Sequence, residues 1–278
     1  MTPRELIRNT SELFRNAGIP DPECDASVLL AHLTGRNALE LRLDTAEITD
    51  LSVISAYQRL AAKRLERIPL QYLLGETVFF GRPFRVDPRV LIPRPETELL
   101  CEWALEVLNG SPAPQVLDLC CGSGCIGLTL KSKRPDAAVT VSDLSADALC
   151  VAAENARRLS LDVEILQSDL LDKFEGASFD LIVSNPPYIP SDVCLTLQPE
   201  VKKEPLLALD GGSDGCDLYR RIAGSAGSVL KPGGKLLMEF GINESGLLFS
   251  LLQDSGFSDI RIRKDLAGID RMILGVFP

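Results

Sequence analysis

Over the second half of the chain, short apolar runs alternate with longer amphipathic stretches. QVLDLC (115–120), AVTVSD (138–143), VEILQ (163–167), FDLIVSN (179–185) and GKLLMEF (234–240) read as strands. Helical spacing is predicted for 124–133, 145–159, 216–230 and 244–255, and SDIRIRKD and DRMILGVF close the chain as two further strands. Nearly continuous apolar strands separated by helices predict a largely parallel sheet covered on both faces. Such sheets bind ligands beyond the carboxyl ends of their strands, where the winding reverses. The segments to watch are therefore Asp118–Gly124, Asp143, Ser168–Leu170 and Asn185–Tyr188.

The first part of the chain has a different texture. Residues 3–67 carry apolar positions at helical spacing. Asp21-Pro22 predicts a helix start ahead of Val28, Leu29, Leu30 and Leu33, with proline at the first helical position. Asp50 is placed to cap a helix whose buried face runs through Ile54, Leu60, Ala61 and Leu65. ETVFF and PFRV, split by Gly81-Arg82-Pro83, predict a hairpin, and the proline-rich PRPETELL leads into a helix starting near Glu96 or Thr97. The expected layout is a helical bundle over 1–75, a hairpin linker over 76–94 and an α/β domain over 95–278.

Composition narrows the chemistry. No apolar run among the 278 residues approaches a membrane span, and charges break up the opening MTPRELIRNTSELF where a signal peptide needs its apolar centre, so a cytoplasmic location is expected. Twenty-nine basic against 39 acidic side chains give a net charge of −10, and neither the first 80 residues nor the remainder is basic. DNA is not an expected partner, because duplex binding needs a positive field. With His32 as the single histidine, Ser–His, Cys–His and multi-histidine metal chemistry are excluded. The eight cysteines contain no CxxC pair, so free thiols and no metal are expected.

Asp118-Leu119-Cys120-Cys121-Gly122-Ser123-Gly124 follows a strand and opens a helix. Glycines there let a ligand approach the backbone closely. Asp143 ends the next strand, where a carboxylate can accept from both hydroxyls of a ribose. Gly122-Ser123-Gly124-Cys125-Ile126-Gly127 satisfies GxGxxG, so a nicotinamide dinucleotide stays a candidate. Asp118 weighs against it: just before the turn, its charge would repel a pyrophosphate and suit a sulfonium or ammonium centre. Ser168 and Leu170 would flank an adenine by its amine and its face. These residues favour S-adenosyl-L-methionine.

Ser184-Asn185-Pro186-Pro187-Tyr188 follows FDLIV. Two prolines remove two N–H donors and leave carbonyls free to accept. With the Asn185 side-chain carbonyl they form a cluster of neutral acceptors for a planar NH2 group, walled by Tyr188. An amide or exocyclic amine is activated for methyl transfer by being held, not by deprotonation, so the lack of a catalytic histidine is expected.

LQYLLGE, VDPRVLIPRPETE, VLDLCCGSGCIGL, VSDLSADAL, SNPPYIP, PEVKKEPLLALDGGSDG and LKPGG together resemble the bacterial protein-(glutamine-N5) methyltransferases of peptide chain release factors, the HemK/PrmC family. Asn-Pro-Pro-Tyr alone is shared with DNA adenine-N6 methyltransferases. The resemblance is strong over 68–278 and rests on position and size before that. It implies a class I methyltransferase with a Rossmann-like seven-stranded sheet, its last strand antiparallel, and a small N-terminal helical domain that contacts the release factor. It places the cofactor against Cys120, Cys121, Gly122, Ser123, Gly124, Asp143, Leu170 and Asn185. The glutamine of a Gly-Gly-Gln loop in a class 1 release factor would be held by Asn185, Pro186, Pro187 and Tyr188, with Asn185, Pro186 and Tyr188 catalytic. A monomer is expected. A ribosomal-protein glutamine is the alternative substrate, and DNA adenine a more distant one. Cys120 and Cys121 stand where the family commonly has glycine and a small residue, and Leu170 where some members have tryptophan.

Overall fold

The computed structural model describes residues 1–278, which divide into two compact units. The first comprises Met1–Glu76 together with Gln198–Lys203, and the second Thr77–Leu197 with Glu204–Pro278. No helix is long and apolar enough to cross a membrane.

The first unit is built from α1 (Pro3–Asn16), α2 (Pro22–Thr34), α3 (Ala38–Leu43), α4 (Leu51–Leu65) and α5 (Leu70–Leu74). Thr2 and Glu5 form a reciprocal capping box at the start of α1, satisfying two end N–H groups. Asp50 caps α4 as expected, accepting from the Ser52 N–H at 2.8 Å. Asp21 precedes α2 as expected but makes no side-chain cap; only its backbone carbonyl accepts, from the Asp25 N–H. The core gathers Leu6, Ile7, Phe14, Leu29, Leu30, Leu41 and Tyr57. On α4, Tyr57 and Ala61 are the buried apolar anchors, while Ile54, Leu60 and Leu65 are half-buried.

Arg64, 4% exposed, lies between Asp25 at 2.7 Å and Glu200 at 2.8 Å, and Arg67 grips both oxygens of Glu200 at 2.7 Å. A buried guanidinium persists only when paired, and losing one partner of such a pair costs about 3–5 kcal/mol. Glu200 thereby holds the Gln198–Lys203 segment in the helical unit.

The second unit, from Thr77, opens within the hairpin β1 (Glu76–Phe79) and β2 (Arg82–Arg85) and continues through α6 (Pro95–Val107). The alternating region follows as β3 (Gln115–Leu119), α7 (Cys125–Lys133), β4 (Ala138–Asp143), α8 (Ala146–Leu159), β5 (Glu164–Gln167) and β6 (Phe179–Ser184). Then come the short α9 (Ser191–Cys194), α10 (Asp217–Ala226), β7 (Leu230–Glu239), α11 (Ser245–Asp254), β8 (Ser258–Lys264) and β9 (Asp270–Val276).

The seven-stranded sheet has the order β5-β4-β3-β6-β7-β9-β8. Neighbours from β5 to β7 pair in parallel, and β9, the last strand of the chain, runs antiparallel to β7 and β8. Successive residues of each central strand face opposite cores. Val116, Leu181, Val183 and Leu237 join α6 and α7 on one side; Leu117, Ile182, Leu236 and Met238 meet α10 and α11 on the other. That double burial produces the unbroken apolar runs seen in the sequence.

One boundary differs from its expectation. Helix α10 stops at Ala226, and β7 begins at Leu230 rather than Gly234. The Lys231–Gly234 stretch belongs to the strand but is taken up by a register shift opposite Phe179–Leu181, where Gly233 adopts φ +77°.

Candidate active site

The sheet changes winding direction at β3: the chain proceeds outward to β4 and β5, then returns to place β6 on the other side. Leu119 is in register with Ser142 on one flank and Ser184 on the other, so the turns leaving β3, β4 and β6 lie side by side. The Ser184 hydroxyl donates to the Leu119 carbonyl at 2.7 Å and ties two of these ends together. A cavity of about 210 Å³ opens there.

Cys120, Gly122, Asp143, Leu170, Asn185 and Pro187 all line this cavity. Cys121, Ser123 and Gly124 are buried behind the turn, and Pro186 and Tyr188 also lie off the cavity wall. The turn is shaped by left-handed residues, with φ +59° at Cys120, +54° at Gly122 and +77° at Gly124. At Gly127 a β-carbon would come within 2.6 Å of Val141, so this third glycine serves close helix–strand packing.

Asp143 is locked in place. Its Oδ2 accepts from the Gly122 N–H at 2.8 Å and its Oδ1 from the Ser145 N–H at 2.9 Å. Burial nonetheless pushes its carboxyl above the ordinary range. Asp169 and Asp210 also line the cavity. Arg89 and Arg221 line it too, and Arg221 neutralises Asp169 at 2.9 Å, so Asp143, beside the apolar Leu144, Ala148 and Leu170, is the carboxylate left to meet a nucleoside diol.

Asp118 does not act as the sequence suggested. It is fully buried beneath the turn and absent from the cavity wall, its Oδ2 accepting from the Gly127 N–H at 2.7 Å. Its role is to brace the start of α7, because β3 turns this side chain toward the helix side of the sheet. Burial pushes its carboxyl up to about 7. Between about pH 4 and pH 7 the folded state therefore keeps a proton that the unfolded chain releases. The resulting stability is full at the acid end and is lost as pH rises through the folded value. Asp118 should contribute a fall of up to about 1.4 kcal/mol per pH unit in that window. Urea titrations across it should show a shallower slope for Asp118→Asn, and equal slopes would contradict the assignment.

The loop after β6, Asn185 to Ile189, is held from behind. Ile189 donates to the Leu209 carbonyl and accepts from the Gly211 N–H, at 2.9 Å each. A β-carbon on Gly211 would sit 2.8 Å from the Tyr188 Cα, and one on Gly215 2.4 Å from the Tyr188 carbonyl oxygen. The glycines of LDGGSDG thus let one backbone lie directly on another. Burial raises the Tyr188 phenol to about 12, so it stays neutral and is not a base. Burial likewise raises the thiols of Cys120, Cys121 and Cys125, which keeps them un-ionised. All eight cysteines are free.

Several contributors escaped sequence reasoning. Arg89, Val90 and Leu91 from the stretch after the hairpin, Pro205, Leu207 and Ala208 from beyond the Asn185–Tyr188 loop, and Leu218 and Arg221 of α10 also line the wall. Glu204 joins their neighbourhoods, its carboxylate accepting from the Ile92 N–H at 3.0 Å and pairing with Arg94 at 2.6 Å. Thr97, expected near the α6 start, makes no cap; its hydroxyl donates to Glu239 on β7 at 2.8 Å. An acidic residue in the middle of the apolar LLMEF was the signal for Glu239.

The sheet order and the cavity at its switch point define a Rossmann-like methyltransferase. The Methyltransferase small domain family matches residues 97–195 and the PrmC N-terminal domain family residues 5–75. The release factor glutamine methyltransferase of Chlorobaculum tepidum is 40% identical, covering 96% of this chain and 94% of its own length, and that of Cereibacter sphaeroides is 41% identical, covering 100% and 99%. The chain belongs to the release factor glutamine methyltransferase family. The fold is shared with a T. thermophilus 16S rRNA methyltransferase in complex with AdoMet and guanosine, at 22% identity and a TM-score of 0.53 over 73% of this chain and 50% of that one.

Proposed function

We propose that this chain transfers a methyl group from S-adenosyl-L-methionine to the side-chain amide nitrogen of the glutamine in the Gly-Gly-Gln motif of a class 1 peptide chain release factor. The observation that carries this reading is the Asn185–Tyr188 segment at the end of β6, where Asn185 and Pro187 line the same cavity as Asp143 and Leu170. Relatives aligned over nearly the whole chain are release factor glutamine methyltransferases.

The cofactor, when bound, supplies an electrophilic methyl on a sulfonium that leaves without a general acid. Asp143 would hold the ribose hydroxyls, and Leu170 would cover the adenine. The protein's remaining task is to make an amide nitrogen react. Its lone pair is delocalised, and no group in the site is basic enough to remove its proton at neutral pH: the single histidine is on α2, Tyr188 is held neutral, and carboxylates such as Asp143 are far weaker bases than an amide anion. Acceptors for both N–H bonds, the Asn185 side-chain carbonyl and the Pro186 backbone carbonyl, shift electron density onto nitrogen and aim it. Fixed dipoles and alignment of this kind supply several kcal/mol of a barrier. Tyr188, behind the cavity wall, would flank the bound amide, and its glycine-backed loop keeps the backbone carbonyls from drifting.

The test is mass spectrometry of purified release factor after incubation with the protein and cofactor. A gain of one methyl group on the Gly-Gly-Gln peptide is expected. Methylation of a ribosomal-protein glutamine with the release factor untouched would overturn the substrate assignment.

A further inference from the structure

Asn185 can accept a substrate N–H only through its carbonyl, and a carboxamide left to itself presents either end. Its partners decide which. The Asn185 Nδ2 donates to the Thr97 hydroxyl at 3.2 Å, and that hydroxyl donates to Glu239 Oε2 at 2.8 Å. A threonine hydroxyl has one proton. As a carboxylate Glu239 can only accept, which commits that proton to it; Thr97 can then only accept, so the side of Asn185 that faces it must be the NH2. Burial pushes the Glu239 carboxyl up to about 7, so the chain of bonds is complete above that pH.

We propose that Thr97 and Glu239 are positioning residues which fix the Asn185 carboxamide with its nitrogen turned inward, leaving Oδ1 as the end offered to the substrate amide. The inference rests on the glutamine-methylation reading above and adds to it the groups that set its acceptor. Both side chains are buried, Thr97 at 2% exposed and Glu239 at 1%, so water does not compete for the chain of bonds. The arrangement is long-range: Thr97 is in the first turn of α6, Glu239 ends β7 and Asn185 leaves β6, with the first two 142 positions apart. The Glu239 backbone is anchored, its carbonyl accepting from the Tyr219 hydroxyl at 2.8 Å. The same chain of bonds gives the threonine of PRPETE and the glutamate of LLMEF a shared purpose.

The test compares wild type, Thr97→Val, Thr97→Ser and Glu239→Gln in the full-length protein, with S-adenosyl-L-methionine and purified release factor. Thr97→Val keeps shape and removes the hydroxyl; kcat should fall about 100-fold, the scale of a mispositioned reacting group, with cofactor affinity within about threefold of wild type. Thr97→Ser restores the hydroxyl and should return kcat to within about fivefold. Glu239→Gln can donate as well as accept, so Thr97 is no longer confined to accepting, and kcat should fall about tenfold. The side-chain NH2 resonances of Asn185 in nitrogen-15 spectra read the bond without turnover: they should match between wild type and Thr97→Ser and shift in Thr97→Val. Wild-type kcat in Thr97→Val, or failure of Thr97→Ser to restore it, would overturn the proposal. If Thr97→Val does not fold, wild-type kcat in Glu239→Gln overturns it instead. Absence of methylation by the wild type would remove the substrate reading, while unchanged Asn185 resonances in Thr97→Val would separately remove the positioning role.

Discussion

Asn185→Ala should bind S-adenosyl-L-methionine within about threefold of wild type and lose at least about 100-fold in turnover on the release factor, the scale seen when a fixed polar group aimed at the reacting atoms is removed. The backbone of the reaction loop does not depend on this side chain. Pro186 and Pro187 restrict it, the Ser184–Leu119 bond anchors its start, and the Ile189 pairing anchors its end. The substitution therefore removes one acceptor and leaves the cavity, with Asp143 and Leu170, in place. Single-turnover methyl transfer with calorimetry on the same preparation separates the two effects. Turnover within tenfold of wild type would contradict the acceptor role.

Asp143→Ala should act on the other half of the site, weakening cofactor binding by about 1–3 kcal/mol through loss of hydrogen bonds to a charged acceptor. That corresponds to about 5- to 150-fold in Kd. The structure adds a second source for the loss, since the Gly122 and Ser145 N–H groups both point at this carboxylate and would lose their acceptor. Calorimetry gives the affinity, and thermal melting without cofactor shows how much of the change lies in the turn itself. Unchanged affinity would refute the assignment.

The strand ends were readable in advance because local signals mark them. Glycines in a turn, a carboxylate closing AVTVSD and consecutive prolines after FDLIV each state a backbone or polar requirement within a few residues. The antiparallel last strand followed from the resemblance rather than from periodicity. What stayed hidden depends on partners far along the chain. Thr97 looked like a helix-start residue, and only the fold brings it to Glu239. Asp118 was placed at the right strand end with the wrong outlook, because a one-residue step along β3 reverses the face a side chain meets. The cavity wall from Arg89 to Leu91 and from Pro205 to Ala208 lies in irregular segments with no periodicity to read.

Glu200 bears on where the chain can be divided. A cut placed at the sequence boundary, after residue 75 or 76, releases five helices but leaves behind the carboxylate that both Arg64 and Arg67 grip. An amino-terminal fragment made that way is not the helical unit of the intact protein. It carries two guanidinium groups stripped of a counterion contributed from more than a hundred positions downstream.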